Sequence, residues 1–220
     1  MNLFYLKTEV LLNNLELMYM DGWPLVKEAA LTTVHKKYNG KEISSDWKLK
    51  ILKAKHSPIR EFQITYRLEN IPRWVADQLT RHTIGVNPYM ATARPDRKNK
   101  PRSRQSMEEP TNLMQTHNAE SFINMCNQRL CIGCVSKETR LIVAEIVKEI
   151  EIYEPEIAFY CVPNCIKYCA CKEDDFVECN HFKKFIKKIL VDKEYDSSKI
   201  VPIIMDIKWR YSMYHKFMNR

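Results

Sequence analysis

Hydrophobic residues recur every three or four positions in two segments near the start of the chain, 25–34 and 47–52. Residues at this spacing share one face of a helix, so the pattern predicts two amphipathic helices. Trp23-Pro24 precedes the first segment, and proline is favoured in the first turn of a helix. We also predict a short strand ahead of these helices, near residues 9–12.

The clearest strand signal lies at 62–69, where hydrophobic and polar residues alternate. The hydrophobic positions are Phe62, Ile64, Tyr66 and Leu68, and the polar positions are Gln63, Thr65, Arg67 and Glu69. A period of two is typical of a strand with one buried face. Pro72 then fits the first turn of a helix, and the helix predicted from there ends at Arg81 and His82.

The remainder of the chain is predicted to be a basic loop followed by helices. Segment 85–110 contains four prolines, with six lysines or arginines between 94 and 104, and therefore predicts an extended basic loop. Helical spacing predicts two helices within 118–152 that join near Gly133, and two amphipathic helices at 182–190 and 203–217. The pattern as a whole predicts an α+β fold with a small antiparallel sheet packed with helices, and additional C-terminal helices.

Composition narrows the class of protein. A chain of 220 residues, 45% of them hydrophobic, is expected to form one domain spanning 1–220. Its formal charge of +8 favours an anionic partner, namely a nucleotide, a polyanionic cofactor or a nucleic acid. The first eight residues lack a basic-then-apolar export pattern, and no apolar run is long enough to cross a membrane. We therefore expect a cytoplasmic protein without membrane association.

All eight cysteines lie between Cys126 and Cys179, and without an export signal we expect reduced thiols. One Cys-x-x-Cys motif joins Cys131 to Cys134. A second group is dense, and consists of Cys161, Cys165, Cys169, Cys171 and Cys179 with His181. Such density is suggestive of zinc or an iron–sulfur cluster, but the second group has no paired motif, so no metal ligand is assigned. Cys126 and Cys131 are interpreted as small buried hydrophobic residues.

Cationic side chains follow the predicted strand in an order that favours a phosphate site. Arg81 and His82 end one helix, the basic loop follows, and the next helix carries Asn118, Asn124 and Arg129. Planar donors held on separate elements suit phosphates and pyrimidine carbonyls. The alternative is that the loop is only a solvated linker. Of the histidines, His82 alone belongs to this pattern, and His117 is interpreted as a helix-surface or capping residue.

The same residues resemble the motifs of the flavin-dependent thymidylate synthases. The matching motifs, in order, are Ser57-Pro58, Gln78-x-x-Arg81-His82, Thr92-Ala93-Arg94, Asn118-Ala119-Glu120-Ser121, Asn124 and Arg129. The resemblance covers about 55–179 and leaves 180–220 as a helical C-terminal extension. It implies reductive C5 methylation of dUMP to dTMP by a methyltransferase that uses FAD, NADPH and methylene-tetrahydrofolate. Family members are homotetramers with sites between subunits, which the resemblance implies here as well.

The resemblance also assigns roles to individual residues. The residues that would contact flavin are Ser57, Arg81, His82, Asn118 and Asn124. The residues that would hold dUMP are Gln78, Thr92, Arg94 and Arg129. Arg129 is the implied catalytic residue, because a guanidinium near the pyrimidine oxygens stabilises negative charge as C5 becomes nucleophilic.

Four positions depart from the family pattern, namely Arg60, Thr83, Met90 and Glu120. Arg60 and Glu120 carry the family's acid and base in reverse, so one explanation is that they rebuild a single ion pair and preserve flavin binding. The other explanation is that the flavin site has been lost. The functional alternatives are an enzyme that modifies another pyrimidine nucleotide, and a non-enzymatic nucleotide- or nucleic-acid-binding protein that uses residues 94–104.

Overall fold

A four-stranded antiparallel sheet and the helices packed on it make the fold α+β, as the sequence pattern predicts. The structure is a computed structural model that describes residues 15–98, 101, 104–171, 173, 179–191 and 206–218. By internal contacts the chain divides into two compact units, Met1–Phe122 and Ile123–Arg220. In the part of the chain that the structure describes, no helix is both long and apolar enough to cross a membrane.

The sheet lies in the first unit, and its strands stand in the order β1-β2-β4-β3. The strands are β1 (Leu15–Asp21), β2 (Gln63–Pro72), β3 (Val86–Met90) and β4 (Pro110–Asn118). All neighbouring pairs are antiparallel, and β2 pairs with β4 along most of its length. Tyr66 of β2 stands opposite Gln115 of β4, and Val86 of β3 stands opposite His117.

Helices alternate with these strands. They are α1 (Trp23–Thr32), α2 (Ser45–Ala54), a 3-10 helix (Ser57–Glu61), α3 (Arg73–Thr80), α4 (Pro95–Lys98) and α5 (Ala119–Arg129). Ser44 caps α2 by accepting a hydrogen bond from the Trp47 amide at 3.4 Å. The helices predicted after Trp23-Pro24, at 47–52 and before Arg81 are confirmed, as is the strand through Tyr66.

The second unit is helical in its described residues. Its helices are the C-terminal part of α5, then α6 (Lys137–Tyr153), α7 (Pro155–Phe159), α8 (Asn164–Tyr168), α9 (His181–Val191) and α10 (Ile207–Met218). The two predicted helices that join near Gly133 are confirmed as α5 and α6, and the two tail helices as α9 and α10. Buried Asn127 ties two loop carbonyls together by donating to Tyr160 O at 3.1 Å and Val162 O at 2.6 Å.

Segment 85–110 folds differently from its prediction as a loop. The prediction is wrong at both ends, because Val86–Met90 forms β3 and Pro110 begins β4. The buried face of β4 consists of Thr111, Leu113, Gln115 and His117. Three of these four side chains are polar, so the hydrophobic alternation that would have marked the strand is missing. The strand predicted near residues 9–12 lies outside the described residues.

Candidate functional site

One end of the sheet gathers several residues that the resemblance assigns to flavin. Gln63 at the start of β2 pairs with Asn118 at the end of β4, and Val86 at the start of β3 pairs with His117. The segments leading into these strands therefore meet at this end. Ser57 lies in the 3-10 helix before β2, and Arg81 and His82 lie between α3 and β3. We call this region the sheet-end site.

Asn118 is held by contacts with the turn that leads into β3. Its backbone amide donates to Gly85 O at 3.0 Å, and its Oδ1 accepts from the Ser121 amide at 2.8 Å, which caps the start of α5. The Ser121 hydroxyl also donates to Gly85 O at 2.7 Å. Gly85 has a φ of +70°, and a Cβ there would overlap the Asn118 side-chain amide. This close approach fixes the Asn118 side chain at the sheet end.

A buried polar network lies directly behind Asn118. The Tyr66 hydroxyl donates to Gln115 Oε1 at 2.8 Å and lies 3.2 Å from His117 Nε2. On its other side, His117 Nδ1 lies 3.4 Å from the Ser121 hydroxyl. Gln115 also donates to Leu79 O at 3.4 Å, which connects the network to α3. Each buried side chain of this network therefore has a hydrogen-bonding partner, as burial requires.

His117 is a buried residue of the sheet, so its interpretation as a helix-surface or capping residue is wrong. Burial, together with a smaller effect of the nearby charge of His82, lowers the pKa of His117 from 6.5 to about 3. Its ring stacks on Tyr66 with centroids 5.6 Å apart. The network was missed at the sequence level because its members are ordinary polar residues on three separate segments. The only sequence feature that pointed toward the network was the alternation of hydrophobic and polar residues through Tyr66, which predicted a strand with Tyr66 on its buried face.

Arg60 and Glu120 form an ion pair, as one of the two explanations drawn from the sequence predicts. Arg60 Nε lies 2.6 Å from Glu120 Oε2, and the two side chains are 58% and 25% exposed. The pair joins the 3-10 helix before β2 to the first turn of α5. A carboxylate in the first turn of a helix is further favoured by the helix dipole.

The residues assigned to dUMP are spread more widely. Gln78 lies on α3, one turn before Arg81, whereas Thr92 and Arg94 follow the last residue of β3. A five-residue strand separates its two ends by about 14 Å. Within one chain, the structure therefore does not bring Arg94 to the sheet-end site. The Arg94 guanidinium instead forms a two-point contact with Asp96, at 3.0 and 2.9 Å.

Asn124 and Arg129 belong to the second unit, where both side chains are half-buried on α5. Arg129 lines a cavity of about 330 Å³ in that unit. Most of the other polar groups in the wall are thiols. The cysteines of the wall are Cys131, Cys134, Cys165, Cys171 and Cys179, and His181 stands beside them. We call this the cysteine cavity.

All eight cysteines are free thiols. Cys126 is buried, as predicted, whereas Cys131 is half-buried and lines the cavity, so its interpretation as a buried hydrophobic residue is wrong. Burial, together with smaller effects of the neighbouring Cys131 and Cys171, raises the pKa of Cys165 to about 12. Burial likewise raises the pKa of Cys134 to about 11, with contributions from Cys131 and Glu173. As the side chains stand, no three His, Cys, Asp or Glu groups among the described residues are placed to hold a metal ion.

Comparison with protein-family models gives no match for this chain, and comparison with curated proteins gives none either. A functional assignment therefore depends on the sequence motifs and on the geometry within each of the two units.

The depressed pKa of His117 predicts acid sensitivity. Between pH 6.5 and about 3 the unfolded chain binds a proton at this position and the folded chain does not, so stability falls as pH falls through that window. The slope approaches about 1.4 kcal/mol per pH unit. We expect His117→Gln to flatten the pH dependence of the free energy of unfolding, measured by urea titration from pH 7 to pH 4. His56→Gln, at an exposed position, serves as the control and should keep the original slope; equal slopes in all three proteins would contradict the assignment.

The Arg60–Glu120 pair predicts a measurable coupling. A double-mutant cycle with Arg60→Ala and Glu120→Ala should give a coupling energy of about 0.5–1 kcal/mol, because one partner is mostly buried and the other is exposed. The variant in which the two charges are exchanged, Arg60→Glu with Glu120→Arg, should recover only part of this coupling energy. The helix dipole disfavours the positive charge of arginine in the first turn of α5. The Asp46–Lys50 pair is exposed on both sides and should give a smaller coupling. A zero coupling for Arg60–Glu120 would contradict the pairing in solution.

Proposed function

We propose that the protein is a flavin-dependent methyltransferase of the thymidylate synthase type, which converts dUMP to dTMP with methylene-tetrahydrofolate and NADPH. The observation that carries the proposal is the arrangement of the sheet-end site. Ser57, His82 and Asn118 come from three segments of the chain that meet at this end of the sheet. The Arg60–Glu120 ion pair supports the proposal, because the two departures from the family pattern compensate each other.

The residues of the sheet-end site fit an anionic dinucleotide such as FAD. Arg81 is exposed and His82 is half-buried, and both lie in the segment that leads into β3 at the sheet-end site. Guanidinium and imidazole groups are suited to bind the pyrophosphate, and the close contact of Gly85 with Asn118 keeps the amide in a fixed position. Bound FAD, once reduced by NADPH, would supply the hydride that completes the new methyl group.

The pyrimidine nucleotide would be held by guanidinium groups. Arg94 is our candidate for the phosphate, because Asp96 engages only two of its five N–H donors and orients the rest. Arg129 is the candidate for the pyrimidine oxygens, where a positive charge stabilises the negative charge that develops as C5 attacks the one-carbon unit. The protein's own contribution to catalysis is orientation and positive potential.

The length of β3 favours a site shared between copies of the chain. Arg81 precedes β3 and Arg94 follows it, so one chain presents them at opposite ends of the strand. In a symmetric oligomer, an end from one copy can meet the opposite end from another. This arrangement agrees with the homotetramer that the resemblance implies.

Arg129→Ala should reduce turnover of dUMP by about 100- to 1000-fold, because it removes a charge-assisted contact made in the transition state. Gln128→Ala, its exposed neighbour on α5, is the control and should keep normal turnover. Turnover is measured as dTMP formed in the presence of FAD, NADPH and methylene-tetrahydrofolate, and circular dichroism checks that the variant is folded. Normal activity in folded Arg129→Ala would refute the role of Arg129. Flavin binding with turnover of a different pyrimidine nucleotide only would favour the alternative substrate.

Mixing two inactive variants tests the shared site. Arg81→Ala and Arg94→Ala should each be inactive alone. When the two are unfolded, mixed and refolded together, roughly a quarter of the sites should receive both intact residues if each site takes Arg81 and Arg94 from different copies. We therefore expect partial recovery of dTMP formation on mixing. Absence of recovery, with wild-type protein surviving the same procedure, would show that both residues serve one chain's own site.

A further inference from the structure

The cysteine cavity collects thiols from chain segments that are far apart in sequence. Cys131 and Cys134 lie in the turn between α5 and α6, Cys165 lies in the first turn of α8, and His181 begins α9. Cys126 and Cys161 behave differently, since both are buried in the core. Cys126 and Cys161 therefore contribute to core packing, whereas Cys131, Cys134 and Cys165 line one cavity. Cys171 and Cys179 add two further thiols to its wall.

One pair within the cavity already has the spacing of metal ligands, and a second pair forms a Cys-x-x-Cys motif. Cys165 Sγ lies 3.8 Å from His181 Nδ1. Tetrahedral zinc with sulfur at about 2.3 Å and nitrogen at about 2.0–2.1 Å places these atoms about 3.6 Å apart. Cys131 and Cys134 share a side-chain hydrogen bond across their Cys-x-x-Cys turn, and Cys165 is close enough to feel the charge of Cys131. All four residues line the same cavity, and their side chains would have to turn toward one point to complete a tetrahedral site.

We propose that Cys131, Cys134, Cys165 and His181 bind one zinc ion, as a structural site of three cysteines and one histidine in the second unit. Binding releases three thiol protons to solvent, because thiolates are the ligands. The ion would tie the turn between α5 and α6 to the starts of α8 and α9. None of its four ligands belongs to the residues assigned to flavin or nucleotide, but Arg129, which is assigned to the nucleotide, lines the same cavity, so metal content is the readout that tests the zinc site separately from turnover.

The surroundings of the cavity suit the charge of such a site. Zinc with three thiolates carries one net negative charge. Arg129 lines the same cavity, and Arg140 is close enough to lower the pKa of His181, after the larger effect of burial. The Arg140 Nε is buried and has no hydrogen-bond partner in the described part of the chain. The Arg140 side chain is half-buried, and a negatively charged metal site beside His181 would compensate its positive charge.

The first experiment measures metal content. The full chain is produced with zinc in the medium, purified without chelators, and analysed by elemental analysis and by native mass spectrometry. We expect one zinc per chain and no iron. Loading the chelator-treated protein with Co²⁺ alone should give the visible absorption of tetrahedral cobalt and a thiolate charge-transfer band, which reports the ligand type without any assay of activity.

Variants then test the ligand set. The double variant Cys131→Ala with Cys134→Ala should weaken zinc binding at least about 100-fold, and so should the single variant Cys165→Ala. Mutating a residue that only hydrogen-bonds to a metal ligand already lowers metal affinity about 10- to 100-fold, and loss of a ligand itself should cost more. Cys131→His supplies a different zinc ligand and should retain the metal, which separates loss of a ligand from failure to fold. Cys169→Ala is the control and should keep one zinc per chain, since Cys169 is not part of the cavity wall.

Several results would overturn the proposal. Folded protein that holds no metal and whose Cys131, Cys134 and Cys165 thiols all react with a thiol reagent would do so, as would a disulfide between Cys131 and Cys134 in protein kept under reducing conditions. Iron with acid-labile sulfide and strong visible absorption would replace the zinc site by an iron–sulfur cluster. Loss of zinc in Cys169→Ala but not in Cys165→Ala would show that the ligand set is wrong.

Discussion

The pairing of β2 with β4 is the interaction on which the first unit depends, and it is stabilised by polar as well as apolar contacts. Tyr66 is fully buried on β2 and joins Gln115 and His117 on β4 through hydrogen bonds. Leaving a buried polar group without its partner costs about 1–3 kcal/mol. The network therefore favours a single register, because a shift of one residue would turn these side chains to the other face of the sheet.

That register also determines what stands at the sheet-end site. Because His117 is held inside, the chain turns at Asn118 and begins α5 there, with Ser121 bonded to both Gly85 and Asn118. The same turn brings Glu120 within reach of Arg60. Residues far apart in sequence thus meet because one buried histidine and its partners fix the end of β4. The candidate site is a consequence of the packing behind it.

The hydrophobic pattern predicted the elements whose buried faces are apolar, which include α1, α2, β2 and the pair α5 and α6. It missed β4 because the buried face there is mainly polar, and it missed β3 because only Val86 of that strand is buried and Pro88 suggested a loop. The Arg60–Glu120 pair was anticipated at the sequence level as one of two explanations for the charges at these positions. The sequence marked both groups of cysteines, but their irregular spacing did not show that folding brings Cys131, Cys165 and His181 to one cavity. The opposite-end positions of Arg81 and Arg94 likewise depend on the strand between them, which was predicted as a loop.

The central claim is that the sheet-end site binds flavin, and the absorption spectrum of the purified protein tests it most directly. Our account predicts the two visible flavin bands, either as purified or after FAD is added and excess is removed by gel filtration. The Asn118→Ala variant, which loses the cap of α5 and the fixed amide, should retain less flavin than the original protein. A colourless protein from which added FAD elutes separately, although its fold is intact, would contradict the account.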